Sequence, residues 1–241
     1  MMNIAILWCA YEETDRKKYY DIAYMHSKRT IEEFIRSDYS TIHVIDFVLV
    51  SRKIIRKITI QGYSDDSCWS RGQAWAIYGF TLAYKTTKDR MFLEIEKTCG
   101  YFIINLPDDY IPCWDFKDPT LSVKDSSAAA IASSALLTLS KQSGDRKLED
   151  ISLKILNSLL ASYFADNSDG ILKHGCFHKP AGIDVDESLI WGDYYFVESL
   201  AKKGRDHQLT LTQKTVYEKT FYPENAKEHL LRSKICRTMY I

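Results

Sequence analysis

The densest run of residues suited to chemistry is QGYSDDSCWSRGQAW, residues 61–75. Arg71 carries a planar guanidinium that matches a carboxylate or sulfate two bonds at a time. It follows Ser70, which reads as the cap of a helix, and a helix N-terminus adds partial positive charge beside it. Trp69 and Trp75 offer flat apolar faces of the kind that sugar rings stack on, and Gln61 can donate to and accept from hydroxyls. This is a candidate anion and sugar site. The alternative for the same residues is that both tryptophans are core and Arg71 pairs with Asp65 or Asp66.

Other candidates are thinner. Asp115, in CWDF, is a candidate general acid if its loop is buried. Asp125, opening KDSSAAAI, reads as a helix cap. Asp184, Asp186, Glu187 and Asp193 crowd one segment, where they hold loops together or bind a cation; the first reading is preferred. His174, Cys176 and His178 alternate in a segment read as extended, but the spacing fits no zinc pattern and a fourth ligand is missing, so no metal is expected. The chain contains no P-loop, G-x-G-x-x-G, G-x-S-x-G or H-E-x-x-H.

What positions these residues is a repeat. NIAILWCAYEET, RGQAWAIYGFTLAYKTTK and SAAAIASSALLTLSKQSG are apolar nearly all round and predict helices buried on every side. Each is followed by an Asp-Arg pair (Asp15-Arg16, Asp89-Arg90, Asp145-Arg146), with Asp as the expected N-cap, and then by a one-sided helix. In the third unit Leu148, Ile151, Ile155 and Leu159 recur at helical spacing. An inner helix followed by an outer one, repeated, describes a two-layer ring or solenoid of hairpins. The loops after the outer helices read SDYSTIH, DDYIPCW and SDGILKH, and place His43, Trp114 and His174 five residues beyond an Asp. Equivalent loops emerge at one end, so these three side chains either line one cleft or fill the loops. A fourth inner helix is expected near residues 193–202, making three and a half hairpins. Residues 205–241 lose the pattern and read as disordered or partly helical.

The chain has 241 residues, equal numbers of acidic and basic side chains and six scattered cysteines. That length suits one large core. Neutral charge gives no sign of a nucleic-acid or anionic-membrane partner. No apolar run is long enough to span a bilayer, and the opening segment lacks the basic leader and small-residue cleavage site of a signal peptide. Reduced thiols in a cytoplasmic protein are the expectation.

Seven runs then form a pattern: MMN-x-x-x-L, HVIDF, residues 61–80, LP-x-D-x-IP-x-WDF, DSSAAAIA, HG-x-x-HKP and SLIWGDYYFVESL. Their order and spacing from Met1 to about Lys203 resemble the unsaturated glucuronyl hydrolases, glycoside hydrolase family 88. The resemblance implies an all-α (α/α)6 toroid, here incomplete, over residues 1–204. It implies hydrolysis of lyase-generated oligosaccharides that end in a 4,5-unsaturated uronic acid. A carboxylic acid protonates the vinyl ether, water adds at the adjacent carbon, and the hemiketal opens to release the remaining sugar. No cofactor is implied. His43, Gln61, Trp69, Arg71 and Trp75 match the family's substrate-pocket positions. The family's acid/base Asp lies in an I-D-x-M-M-N motif two residues before the first Met, which here is Met1. That Asp and a second essential one are therefore expected upstream, and the chain reads as N-terminally truncated. The rival readings are an inactive fragment with a residual sugar-binding surface, and a helical array that needs a partner chain.

Overall fold

The architecture follows from helices of two kinds. In the computed structural model, which describes residues 1–165 and 168–204, the helix α5 (Ser126–Ser143) is built almost wholly from Ala, Ser, Leu and Ile and is buried along nearly its whole length. Small side chains let neighbours approach on every face, so α5 packs against α3 (Ser70–Thr87), α6 (Arg146–Ser162) and α7 (Ile190–Gly204). Likewise α3 lies between α5 and α1 (Ile4–Thr14), with α2 (Lys17–Phe34) on α1 and α4 (Ile95–Ile104), led in by a short 3-10 turn, on α3. The inner row is thus α1, α3, α5 and α7, and the outer row is α2, α4 and α6. This is the alternation of inner and outer helices that the repeat predicts.

The outer helices are one-sided as expected: α6 buries Leu148, Ile155, Leu156 and Leu159. The α1 helix departs from its expectation. Of its apolar residues only Ile4 and Trp8 are buried, while Ile6 is 71% exposed. Its main neighbours among the described elements are α2 and α3, and the face that carries Ile6 meets solvent.

The first three inner helices, α1, α3 and α5, end on a left-handed residue, Asp15, Lys88 and Gly144, whose N–H returns to the carbonyl four residues back. The next helix then starts on Asp89, which accepts from Met91 N, and on Asp145, which accepts from Lys147 N. Asp15 is different. All three junctions are two residues long, but here the Asp-Arg pair itself fills the junction, so Asp15 is the left-handed C-cap and Arg16 takes the N-cap position. Ser70 is likewise not a cap: Trp69 holds that position, and Ser70 donates from both its N–H and its hydroxyl to the Trp114 carbonyl, each at 3.0 Å.

Two antiparallel ribbons join the helices, a β addition to a chain read as all-α. β1 (Val44–Phe47) pairs with β2 (Ile54–Ile58), and β3 (Gly175–His178) with β4 (Ile183–Glu187). Both leave the loops that follow outer helices. The core beneath is aromatic, with Trp8, Phe80, Phe92, Phe102 and Phe196 fully buried. Residues 205–241, read above as an unmatched tail, lie outside the described residues, as does Cys236.

Candidate functional site

Arg71, Ser127 and Trp191 are each the second residue of an inner helix, and all three meet. Arg71 Nη1 donates to Ser127 Oγ at 3.3 Å, and Trp191 Nε1 donates to the same oxygen at 3.1 Å. The guanidinium carbon lies 5.2 Å from the Trp191 ring centroid and 4.6 Å from that of Trp69. The N-terminal ends of α3, α5 and α7 therefore open at one place, with a guanidinium held between two indoles. Three helix N-termini and an arginine there favour an anionic ligand.

Arg71 is 2% exposed, and its partners lie far along the chain. Nη1 donates to Asp125 Oδ2 at 3.0 Å and to the Cys176 carbonyl at 2.6 Å, and Nη2 donates to the Phe177 carbonyl at 2.8 Å. The expected alternatives, Asp65 and Asp66, do not hold it. Asp65 accepts from Thr59 N and Asp66 from the Ser64 hydroxyl. Gln61 joins from the other side, its amide donating at 2.6 Å to the same Phe177 carbonyl. Gln61 and Arg71 thus hold β3 against the helix ends. Phe177 in turn lies against Trp191, with ring centroids 5.7 Å apart.

His43 extends the wall. Its ring lies 4.4 Å from that of Trp69. Its Nδ1 accepts from Ile60 N at 3.3 Å and from Gln61 N at 3.4 Å, which leaves the neutral ring's proton on Nε2. Burial first, then the positive charge of Arg71 and the neighbouring His178, hold the imidazole down to about 4. His43 is therefore a neutral donor at pH 7.

The glycine at 62 keeps this corner tight: a Cβ there would sit 2.6 Å from Thr59 Oγ1 and 2.9 Å from Asp115 Oδ2. Asp115, the candidate general acid, is a loop clamp. It is fully buried and accepts from Tyr63 N, Ser67 Oγ and Lys117 N. Asp125 caps α5 as expected, accepting from Ser127 N and Ala128 N.

The remaining candidates take other places. Trp114 backs the wall: it is 3% exposed, packs with Trp69 and Cys176, and donates its indole N–H to Asp118 at 2.9 Å. Trp75 stands one turn deeper on α3, edge-on to Tyr195 at 5.2 Å. His174 sits at the rim, its Nδ1 2.5 Å from Asp186 Oδ1 and its ring edge-on to Tyr163. His178 accepts from Ala181 N, so the His174, Cys176 and His178 side chains do not converge. Among the described residues no three His, Cys, Asp or Glu side chains are grouped to hold a metal ion. The crowded carboxylates do hold loops, Asp193 accepting from Ile171 N and Leu172 N.

Sequence reasoning missed Trp191, Phe177 and Ser127. The first and last were detectable, because aligning the inner helices on their starts superposes Arg71, Ser127 and Trp191. The same register superposes Trp75 with Tyr195, and Tyr78 with Ser134 and Glu198. The structure joins both sets: Tyr78 donates to Glu198 Oε1 at 3.1 Å, and Ser134 donates to Oε2.

Comparison with known proteins finds relatives over most of this chain. The unsaturated glucuronyl hydrolase of Formosa agariphila is 38% identical over 212 residues, 84% of this chain and 53% of that protein. The unsaturated chondroitin disaccharide hydrolase of Streptococcus pneumoniae is 37% identical over 220 residues, 87% of this chain and 56% of that protein. A crystal structure of an unsaturated glucuronyl hydrolase specific for heparin superposes with a TM-score of 0.83 at 35% identity, covering 87% of this chain and 59% of that one. No family model matches the chain. The chain spans about half the length of the curated relatives it matches. Over that span, in sequence and in the packing of its helices, the chain is similar to the unsaturated glucuronyl hydrolases.

Proposed function

We propose that this protein is a glycoside hydrolase of the unsaturated glucuronyl type, and that residues 1–204 form the part of its toroid that binds the unsaturated uronic acid. The observation that carries the reading is the wall itself. His43, Trp69, Arg71 and Trp191 lie side by side where three inner helices begin. The indoles supply faces for a pyranose ring. The neutral His43 offers an Nε2–H to a hydroxyl, and the cationic end of the inner row attracts the uronate. Gln61 and Arg71 hold β3 in place beneath the sugar, and Trp75, Trp114 and His174 back or border the pocket.

The chemistry is hydration. A carboxylic acid gives its proton to one alkene carbon, water adds to the other, and the hemiketal expels the remaining sugar as its ring opens. Asp115 and Asp125, the carboxylates nearest the wall, are bound into the protein by their own hydrogen bonds. The proton donor is therefore assigned to neither, which keeps the binding-only reading alive as the second one. The related proteins named for unsaturated chondroitin disaccharides and for heparin indicate glycosaminoglycan fragments as substrates. No described helix is long and apolar enough to cross a membrane. The described cysteines are free thiols, which supports the cytoplasm as the compartment.

The test is incubation with an unsaturated chondroitin disaccharide, following alkene absorbance and tryptophan fluorescence together. Falling absorbance is expected. A saturable fluorescence change at constant absorbance selects the binding-only reading. No change in either at millimolar disaccharide rejects both.

A further inference from the structure

Asp125 does more than cap a helix. Its Oδ1 accepts from Ser127 N and Ala128 N at the start of α5, from the Ser127 hydroxyl at 2.5 Å, and from Cys176 N of β3 at 3.4 Å. Its Oδ2 accepts from Arg71 of α3 at 3.0 Å. Through Ser127 it reaches Trp191 of α7 at 3.1 Å. One carboxylate, fully buried, ties three inner helices and a ribbon at the end where the wall stands. It is also the negative partner of an arginine whose side chain is itself only 3% exposed.

We propose that Asp125 is the positioning residue of the uronate site: it locks Arg71 by Nη1 and sets how strongly that cation attracts the sugar's carboxylate. The proposal rests on the reading of the wall as a uronate pocket. Its physical basis is that a buried charge without its counter-charge is strongly uncompensated, so any anion brought near Arg71 meets a field already reduced by Asp125. Removing that negative charge raises the preference for an anionic ligand. Removing a hydrogen bond without the charge loosens the guanidinium and leaves the preference alone.

The experiment compares the full chain with Asp125→Asn and Ser127→Ala, and uses two probes. The first is phenylglyoxal labelling of Arg71, mapped by peptide mass, which needs no sugar. Loss of a charge-assisted hydrogen bond predicts labelling faster by about tenfold in Asp125→Asn and by about twofold in Ser127→Ala. The second is tryptophan-fluorescence titration with an unsaturated chondroitin disaccharide and with its uronate methyl ester. The preference for the acid over the ester is expected to rise about tenfold in Asp125→Asn and to stay unchanged in Ser127→Ala. Unchanged Arg71 labelling in a folded Asp125→Asn overturns the proposal, as does an unchanged acid-to-ester preference, which leaves Asp125 a cap only. If Asp125→Asn does not fold, labelling of Ser127→Ala decides, and a rate equal to that of the parent protein overturns it. If the parent protein binds neither sugar while labelling responds as expected, the uronate reading fails and the lock on Arg71 stands.

Discussion

Lowering the pH from 7 to 4.5 forces a choice on His43 that the unfolded chain does not face. In the unfolded state the imidazole takes up a proton near 6.5. In the folded protein, burial, Arg71 and His178 hold it down to about 4. The folded state thus binds fewer protons than the unfolded one between these values, and stability falls as pH drops through that window. It is undiminished by this group above 6.5 and loses nothing more to it below about 4. At about 1.4 kcal/mol per tenfold change in proton concentration the interval is worth about 3 kcal/mol, and because the ring is only partly buried we take about 2 kcal/mol. The perturbation that isolates it is His43→Asn, whose side-chain oxygen can replace Nδ1 as acceptor for Ile60 N and Gln61 N but does not titrate. Urea unfolding followed by tryptophan fluorescence at both pH values is the assay. The parent protein should lose about 2 kcal/mol more than the variant on acidification. Equal losses in the two proteins, or a His43 imidazole resonance that titrates near 6.5, would refute the reasoning and return His43 to the solvent.

Gly192→Ala places a Cβ 3.1 Å from Ser127 Cβ and 3.3 Å from its Cα, where α7 packs on α5. It should cost about 1–3 kcal/mol in urea and weaken the Trp191 to Ser127 bond, read as a change in tryptophan emission. Asp145→Ala removes a cap to Lys147 N and should cost about 1 kcal/mol, whereas Asp15→Gly, at a left-handed position with φ 51°, should be neutral or stabilise by about 0.5 kcal/mol; thermal melts separate the two. Trp8→Ala should cost about 3–5 kcal/mol and Trp8→Phe less than about 1.5 kcal/mol, because among the described residues the buried indole N–H meets no acceptor.

What the sequence made legible was whatever repeats with a helical period. Residues 128–139 are apolar nearly all round, so a buried helix is the outcome that hides them, and α5 is that helix. Leu148, Ile155 and Leu159 fall on one face of α6 for the same reason. The ribbons were not legible because their strands are four or five residues long and mostly half-exposed, which leaves no period to detect. The partner of Arg71 was not legible either. A guanidinium among Asp65, Asp66 and distant carboxylates has no local preference strong enough to choose, and the choice of Asp125, 54 residues on, is made by the packing of α3 on α5.

That failure and the repeat have one origin. Inner helices that start in register place their second residues at one level, whatever those residues are, so Arg71, Ser127 and Trp191 must meet once the helices pack in parallel. Asp125, one residue before α5, falls just outside that level and so can reach across it. Chemistry in such a fold is read along layers that cut across the helices, at positions 71, 127 and 191, then 75 and 195, then 78, 134 and 198, and a reading confined to one segment at a time finds the parts of a site without their partners. Trp75 shows the consequence. Its spacing from Arg71 puts both on one face of α3, yet Arg71 meets Trp191 in the first layer while Trp75 meets Tyr195 in the second, one helical turn further from the loops.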